Sequence, residues 1–175
     1  MSTDLVSEFR DSALGTVDSC RRTTPDAFAE TIADLVVDPA VGAPLVSPAI
    51  TLDGTTVDTD PSVEALDAAE TGVIQAGTGV ASYGTITVES RPAGDELVSL
   101  YPPRHVVVVD ADDIVSDLSA GFDRFETAID DARNNETTGA SRVLTTGPSA
   151  TADMGGLVEG VHGPKEVHIV IVEER

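Results

Sequence analysis

Val106-Val107-Val108-Val109 and Val167-His168-Ile169-Val170-Ile171-Val172 are nearly unbroken β-branched runs. A strand with one wet face alternates apolar and polar residues. A run without alternation reads as a strand covered on both faces, the habit of parallel sheets flanked by helices. Arg142 to Thr146 is a shorter strand candidate, and Gly84 to Val88 with Leu97 to Leu100 reads as a hairpin around Arg91-Pro92-Ala93-Gly94. Residues 38 to 60, rich in Pro, Gly, Asp and Thr, read as a long connection or weak strands.

Helical spacing fills the intervals. Leu5, Val6, Phe9 and Ala13 share one face behind an Asp4 cap. Thr24-Pro25 is an N-cap followed by proline at the first helical position, after which Phe28, Ile32, Leu35 and Val36 form a stripe. Asp60-Pro61 repeats that signal for a short helix through Leu66. Ile114, Leu118, Phe122, Phe125 and Ile129 make the longest pattern, capped by Asp112 or Asp113 and ending near Asn134-Asn135. Strands alternating with helices predict an α/β layered fold, here one domain over residues 1–175.

The 175 residues carry 31 acidic against 10 basic side chains, a formal charge of −21. That balance excludes a nucleic-acid binder working through a basic face and argues against an anionic membrane surface. Lys165 is the only lysine, tryptophan is absent and aromatics are few, a composition resembling haloarchaeal, salt-in cytosolic proteins. At molar salt the Debye length is about 3 Å, so most of the repulsion is screened and the acidity reads as solvent adaptation. One cysteine, Cys20, permits no intrachain disulfide, and no signal peptide or membrane-length apolar run is visible; a cytoplasmic location is expected.

Most chemical motifs fail on inspection. His105, His162 and His168 with Asp153 lack metal-ligand spacing, so neither metal nor cofactor is expected. Asp110-Ala111-Asp112-Asp113 lacks the glycine and glutamate of a calcium loop. Gly77-Thr78-Gly79 runs into β-like Gly84-Thr85-Ile86-Thr87-Val88 instead of opening a helix, so it is no dinucleotide loop. Cys20 before Arg21-Arg22 reads as an apolar filler in preference to an activated thiol, and His168 as a core imidazole. Asn135-Glu136-Thr137 matches the glycosylation triplet, which without export means little.

The informative segment is Gly147 to Pro164. Gly147-Pro148-Ser149-Ala150-Thr151-Ala152-Asp153-Met154 reads as a turn and helix start after a strand, with Ser149 as cap and free N–H groups to attract an anion. Val161-His162-Gly163-Pro164 is a second tight turn before the last strand. Two such turns carrying Ser, Thr, Asp, His and Lys read as a pocket rim.

These residues resemble the LUD-domain family, which includes lactate utilization proteins of the C type. The likeness rests on Gly147-Pro148-Ser149 through Thr151-Ala152-Asp153, on Gly160-Val161-His162-Gly163-Pro164, on Leu100-Tyr101-Pro102-Pro103-Arg104-His105, and on Gly72-Val73 through Ala81 and Gly84-Thr85-Ile86. It covers about residues 60–172 and implies a reduced N-terminal part over 1–59. The family usually has a basic residue at the position of Ala150, and Ala-Glu-Thr-Gly-Thr where this chain has Ala81-Ser82-Tyr83-Gly84-Thr85. Ala69-Glu70-Thr71-Gly72 lies too early to supply that block. The resemblance implies a three-layer α/β/α fold with a mostly parallel central sheet, like the NagB/RpiA/CoA-transferase group. Related CoA transferases use a glutamate before a similar glycine, a nucleophile that Ser82 and Tyr83 do not provide.

It implies a non-redox component of lactate oxidation to pyruvate with iron–sulfur partner proteins, since one cysteine holds no cluster alone. Alternatives are a stand-alone enzyme or binding protein for a small anionic metabolite, phosphorylated or carboxylate, with Asp153 or His162 as general base, and a purely structural module. The expected cleft is bordered by Gly84, Thr85, His105, Gly147, Ser149, Thr151, Asp153 and His162. Arg104, Arg142 and Lys165 are the cations available to an anion.

Overall fold

In the computed structural model, which describes residues 3–134 and 141–174, the two valine-rich runs lie side by side at the centre. In chain order the elements are α1 (Thr3–Ala13), β1 (Ser19–Thr23), α2 (Phe28–Leu35), β2 (Ala40–Gly42), β3 (Val57–Asp58), α3 (Val63–Ala68), β4 (Thr71–Gln75), β5 (Gly79–Val80), β6 (Thr85–Glu89), α4 (Asp95–Leu100), β7 (Arg104–Asp110), β8 (Ile114–Val115), α5 (Leu118–Asn134), β9 (Arg142–Thr145), β10 (Ala150–Thr151), β11 (Val158–Glu159) and β12 (Glu166–Val172). Six strands form one sheet in the order β1-β12-β7-β4-β2-β3, every neighbouring pair parallel.

The period of two along a strand divides the core. Val106, Val108, Val170 and Val172 enter one cluster with Phe28, Ile32 and Leu35 of α2. Val107, Val109, Val167, Ile169 and Ile171 enter another with Val6, Phe9 and Ala13 of α1 and Val98 of α4. Each of these large side chains contributes about 2 kcal/mol on burial, and helices lie on both faces, as the valine runs require. A second sheet, β8-β5-β6-β9, adds Ile86, Val88 and Ile114 to the α1-side core. Its β5 and β8 have two residues each, too few for a pattern to show in sequence.

Local readings need four corrections. Leu97–Leu100 belongs to α4 and is not a hairpin strand. Gly94 takes a left-handed conformation (φ 85°), Arg91 Nε donates to the buried Asp95 carboxylate at 3.0 Å, and Asp95, Val98 and Ser99 face inward at helical spacing. The helix at Asp60-Pro61 starts later, capped by Ser62, whose Oγ accepts from Ala65 N at 3.2 Å. Ile114 lies in β8, and Asp117, not Asp112 or Asp113, caps α5 by accepting from Ala120 N at 3.0 Å; α1 likewise begins at Thr3, ahead of Asp4. Thr24-Pro25 opens a 3-10 turn that leads into α2. α5 runs through Asn134; Asn135-Glu136-Thr137 lies outside the described residues.

The fourth correction bears on function. No helix follows Gly147. Ala150 and Thr151 pair antiparallel with Glu159 and Val158, Ser149 N donates to Pro164 O at 2.9 Å, and Gly160 N donates to Ser149 O at 2.8 Å. Backbone groups that a helix start would leave free are taken by the facing turn, so no helix N-terminus is present to hold an anion.

Candidate functional site

The two glycine-rich turns fold over the amino ends of β7 and β12 and enclose a cleft of about 280 Å³. Its walls include Ile86 and Val88 of β6, Val167 and Ile169 of β12, and Leu144 of β9; its polar residues are Ser99, His105, Thr145, Thr146, Ser149 and His162. Gly84 and Gly147 also line it, each at positive φ (61° and 68°). A Cβ on Gly84 would lie 2.4 Å from the Ala13 backbone, so the end of α1 rests directly on that turn.

Five of the expected residues, Gly84, His105, Gly147, Ser149 and His162, line this cleft. Asp153 and Thr151 stand beside it: Asp153 Oδ2 lies 3.4 Å from His162 Nε2, and Thr151 Oγ1 donates to Asp153 Oδ1 at 2.9 Å. The Thr151 hydroxyl, then His162, hold the Asp153 carboxyl below its ordinary range. Thr85 is buried and bonded to Thr146 Oγ1 at 2.6 Å, so it braces a cleft residue from behind.

The cations lie elsewhere. Arg104 precedes His105 and therefore points to the opposite face of the sheet, where Nη1 donates to Leu35 O at 3.2 Å and Nη2 meets Glu166 at 2.5 Å. Arg142 is bound by Glu89 at 2.6 Å and lies over the Phe125 ring. Lys165 is exposed, its side chain against Gly160 and its backbone N–H bonded to Pro103 O. None of the three lines the cleft. Sequence reasoning missed the apolar walls; His105, Val167 and Ile169 share one strand-face parity, a signal available once β7 and β12 are paired.

His105 and Ser99 are the most buried polar residues of the lining. His105 is 4% exposed, its Nε2 is buried without a hydrogen-bond partner, and desolvation pushes its pKa down to about 4. The imidazole is therefore neutral at pH 7. An unused buried polar atom costs about 1–3 kcal/mol. His168 faces the other side of the sheet, its Nδ1 2.8 Å from Ser19 Oγ, its pKa lowered by burial and then by Arg104.

A larger cavity, about 540 Å³, opens at the carboxyl ends of β7 and β12, the usual ligand edge of an open parallel sheet. Asp110, Asp112, Asp113, Glu173 and Glu174 line it, and burial raises the Asp110 pKa. Among the described residues no three His, Cys, Asp or Glu side chains converge as metal ligands, and no helix is long and apolar enough to cross a membrane. Cys20 is buried and its thiol is pushed up to about 12, burial outweighing Arg10. A disulfide-exchange reagent at pH 8 is expected to leave Cys20 unmodified in the folded chain and to label it fully in denaturant; rapid stoichiometric labelling of the native chain would contradict that burial.

A doubly covered parallel sheet, with two glycine-rich turns closed over its amino edge, places the chain among α/β proteins that carry a ligand-sized cleft. Residues 24–172 match the model of the LUD domain, and the chain belongs to the LUD domain family. It is similar to lactate utilization protein C of Oceanobacillus iheyensis, 27% identical over 106 residues (60% of this chain, 44% of that one). It is also similar to lactate utilization protein C of Deinococcus radiodurans, 29% identical over 109 residues (61% and 48%). The chain spans about half the length of the curated relatives it matches. The crystal structure of a DUF162 family protein from Deinococcus radiodurans matches with a TM-score of 0.66 at 22% identity, covering 98% of this chain and 99% of that one, and supports the fold.

Proposed function

We propose that the chain serves lactate utilization as a non-redox component, working with iron–sulfur partner proteins that carry the electrons, and that its cleft receives the small acid. The names of its relatives support the process. One observation carries the site: in a chain of charge −21, the family's two turns close over a cleft whose lining, among the described residues, holds no Asp or Glu and has His105 and His162 as its titratable groups. A monoanion meets no fixed like charge on those walls. A phosphorylated ligand is less well served, since among the described residues neither Lys nor Arg lines the cleft and no helix N-terminus faces it.

The test is thermal unfolding in molar KCl with L-lactate, pyruvate and sugar phosphates. Lactate or pyruvate at a hundred times Kd stabilises by about 2.7 kcal/mol, a rise of roughly 8 °C in Tm. Stabilisation by sugar phosphates alone, or by none of these, would overturn the assignment. Deleting the gene is expected to abolish growth on lactate while sparing growth on sugar.

A further inference from the structure

The β10–β11 hairpin is short of support within its own chain. Its ladder has only the pairs Ala150 with Glu159 and Thr151 with Val158, and no residue from 150 to 163 is buried. A two-stranded hairpin is marginal in water without a surface to pack on. This one nonetheless exposes Met154, Leu157, Val158 and Val161, and a Cβ on Gly155 or Gly156 would meet nothing within 4 Å. Beside its root, Leu97, Leu100 and Tyr101 stand in water at helical spacing, Tyr101 N donating to Leu97 O at 3.0 Å. A Cβ on Gly163 would lie 3.6 Å from Leu100 Cδ2, so hairpin root and helix face are neighbours.

These seven side chains are 39–76% exposed, and together they present on the order of 500 Å² of apolar surface. A homodimer interface of about 800 Å² per copy is about 65% apolar, which requires about the same area. Charge is complementary as well. Among the described side chains every arginine holds a carboxylate, whereas Lys165, the only lysine, is in no ion pair. Lys165 lies against Gly160, its N–H bonded to Pro103 O, two residues beyond Tyr101. The hairpin itself carries the exposed Asp153 and Glu159.

We infer that two copies of this chain associate about a two-fold axis, each laying its acidic, apolar hairpin across Leu97, Leu100 and Tyr101 of the other, toward the partner's Lys165. Hairpin and helix face occur once in each copy, so the exchange is reciprocal and closes at two. Leu100 and His162 also line the cleft, so the partner's hairpin lies over its mouth. Two chains of charge −21 repel, but screening over about 3 Å in molar salt removes that repulsion and leaves the apolar burial. Association therefore tightens as KCl rises, the reverse of an ionic interface.

Sedimentation equilibrium of the full chain tests this. In molar KCl at about 50 μM the mass is expected to be twice that of one chain, and dissociation to be roughly ten-fold or more easier in about 0.1 M KCl. Leu157→Asp on the hairpin and Leu97→Asp on the helix face are each expected to give monomers; both residues are exposed, so neither change disturbs the core. Val63→Asp, at an exposed position on α3, should leave the dimer intact. Mixing the Leu157→Asp and Leu97→Asp chains should restore a weaker dimer, because one unaltered hairpin then meets one unaltered face. A native chain that stays monomeric in molar KCl overturns the inference, as does a dimer that survives either variant or tightens as KCl is withdrawn. Loss in both variants without rescue on mixing overturns the exchange of hairpins.

Discussion

Between pH 6.5 and pH 4 the folded chain is expected to lose about 3 kcal/mol through His105 alone. The ordinary histidine value is 6.5, and burial takes the folded-state value to about 4. Above pH 6.5 the imidazole is neutral in both states and contributes nothing. As pH falls through 6.5 the unfolded chain takes up a proton that the folded chain refuses, so stability falls by about 1.4 kcal/mol per pH unit. Below pH 4 both states are protonated and the loss stops growing. His168, whose value is also lowered by burial, acts in the same sense. Chemical denaturation at pH 7 and pH 4.5, for the native sequence and His105→Gln, isolates the effect, because other titrating groups cancel in the comparison. The variant should show a shallower loss; parallel curves would mean that His105 is hydrated in the folded chain.

Replacing Gly84 by alanine is the second large effect. The left-handed conformation (φ 61°) costs an L-residue about 1–2 kcal/mol. The new Cβ would meet backbone atoms of Ala13 at 2.4 Å, contacts no rotamer change can relieve, and overpacking of this kind costs about 1–3 kcal/mol. Together they predict a loss of about 3 kcal/mol and a fall of roughly 10 °C in Tm. Gly54 is the internal control: its φ is 80°, but its Cβ would meet nothing within 4 Å. Gly54→Ala should therefore cost about 1 kcal/mol. Equal losses at both positions would show that α1 does not rest on the Gly84 turn. Because Gly84 also lines the cleft, its variant should weaken acid binding, and Gly54→Ala should not.

The central sheet was legible because its strands are extreme. Val106–Val109 and Val167–Val172 admit no polar face, and that alone demands cover on both sides. Helices with long apolar stripes were equally visible at Phe28, Ile32 and Leu35. Errors fell where local signals were short. Leu97–Leu100 carries no decisive period in four residues, and the buried Asp95 held by Arg91 settles it as helix. Ser149 has the chemistry of a cap, yet its backbone bonds to Pro164 and Gly160, partners that lie in another turn. Arg104 and His105 are neighbours in the motif but sit on opposite faces of β7, so only His105 reaches the cleft.

By itself the sequence determined a parallel α/β core, the order of its main helices and the segments that border the cleft, since period and turn chemistry act over a few residues. Tertiary structure alone decided the shape of the cleft, the unpartnered nitrogen of His105 and the displacement of Arg104, Arg142 and Lys165 from its walls. Those properties depend on which side chains from β6, β7, β9 and β12 meet across the sheet, and on how completely their meeting excludes water.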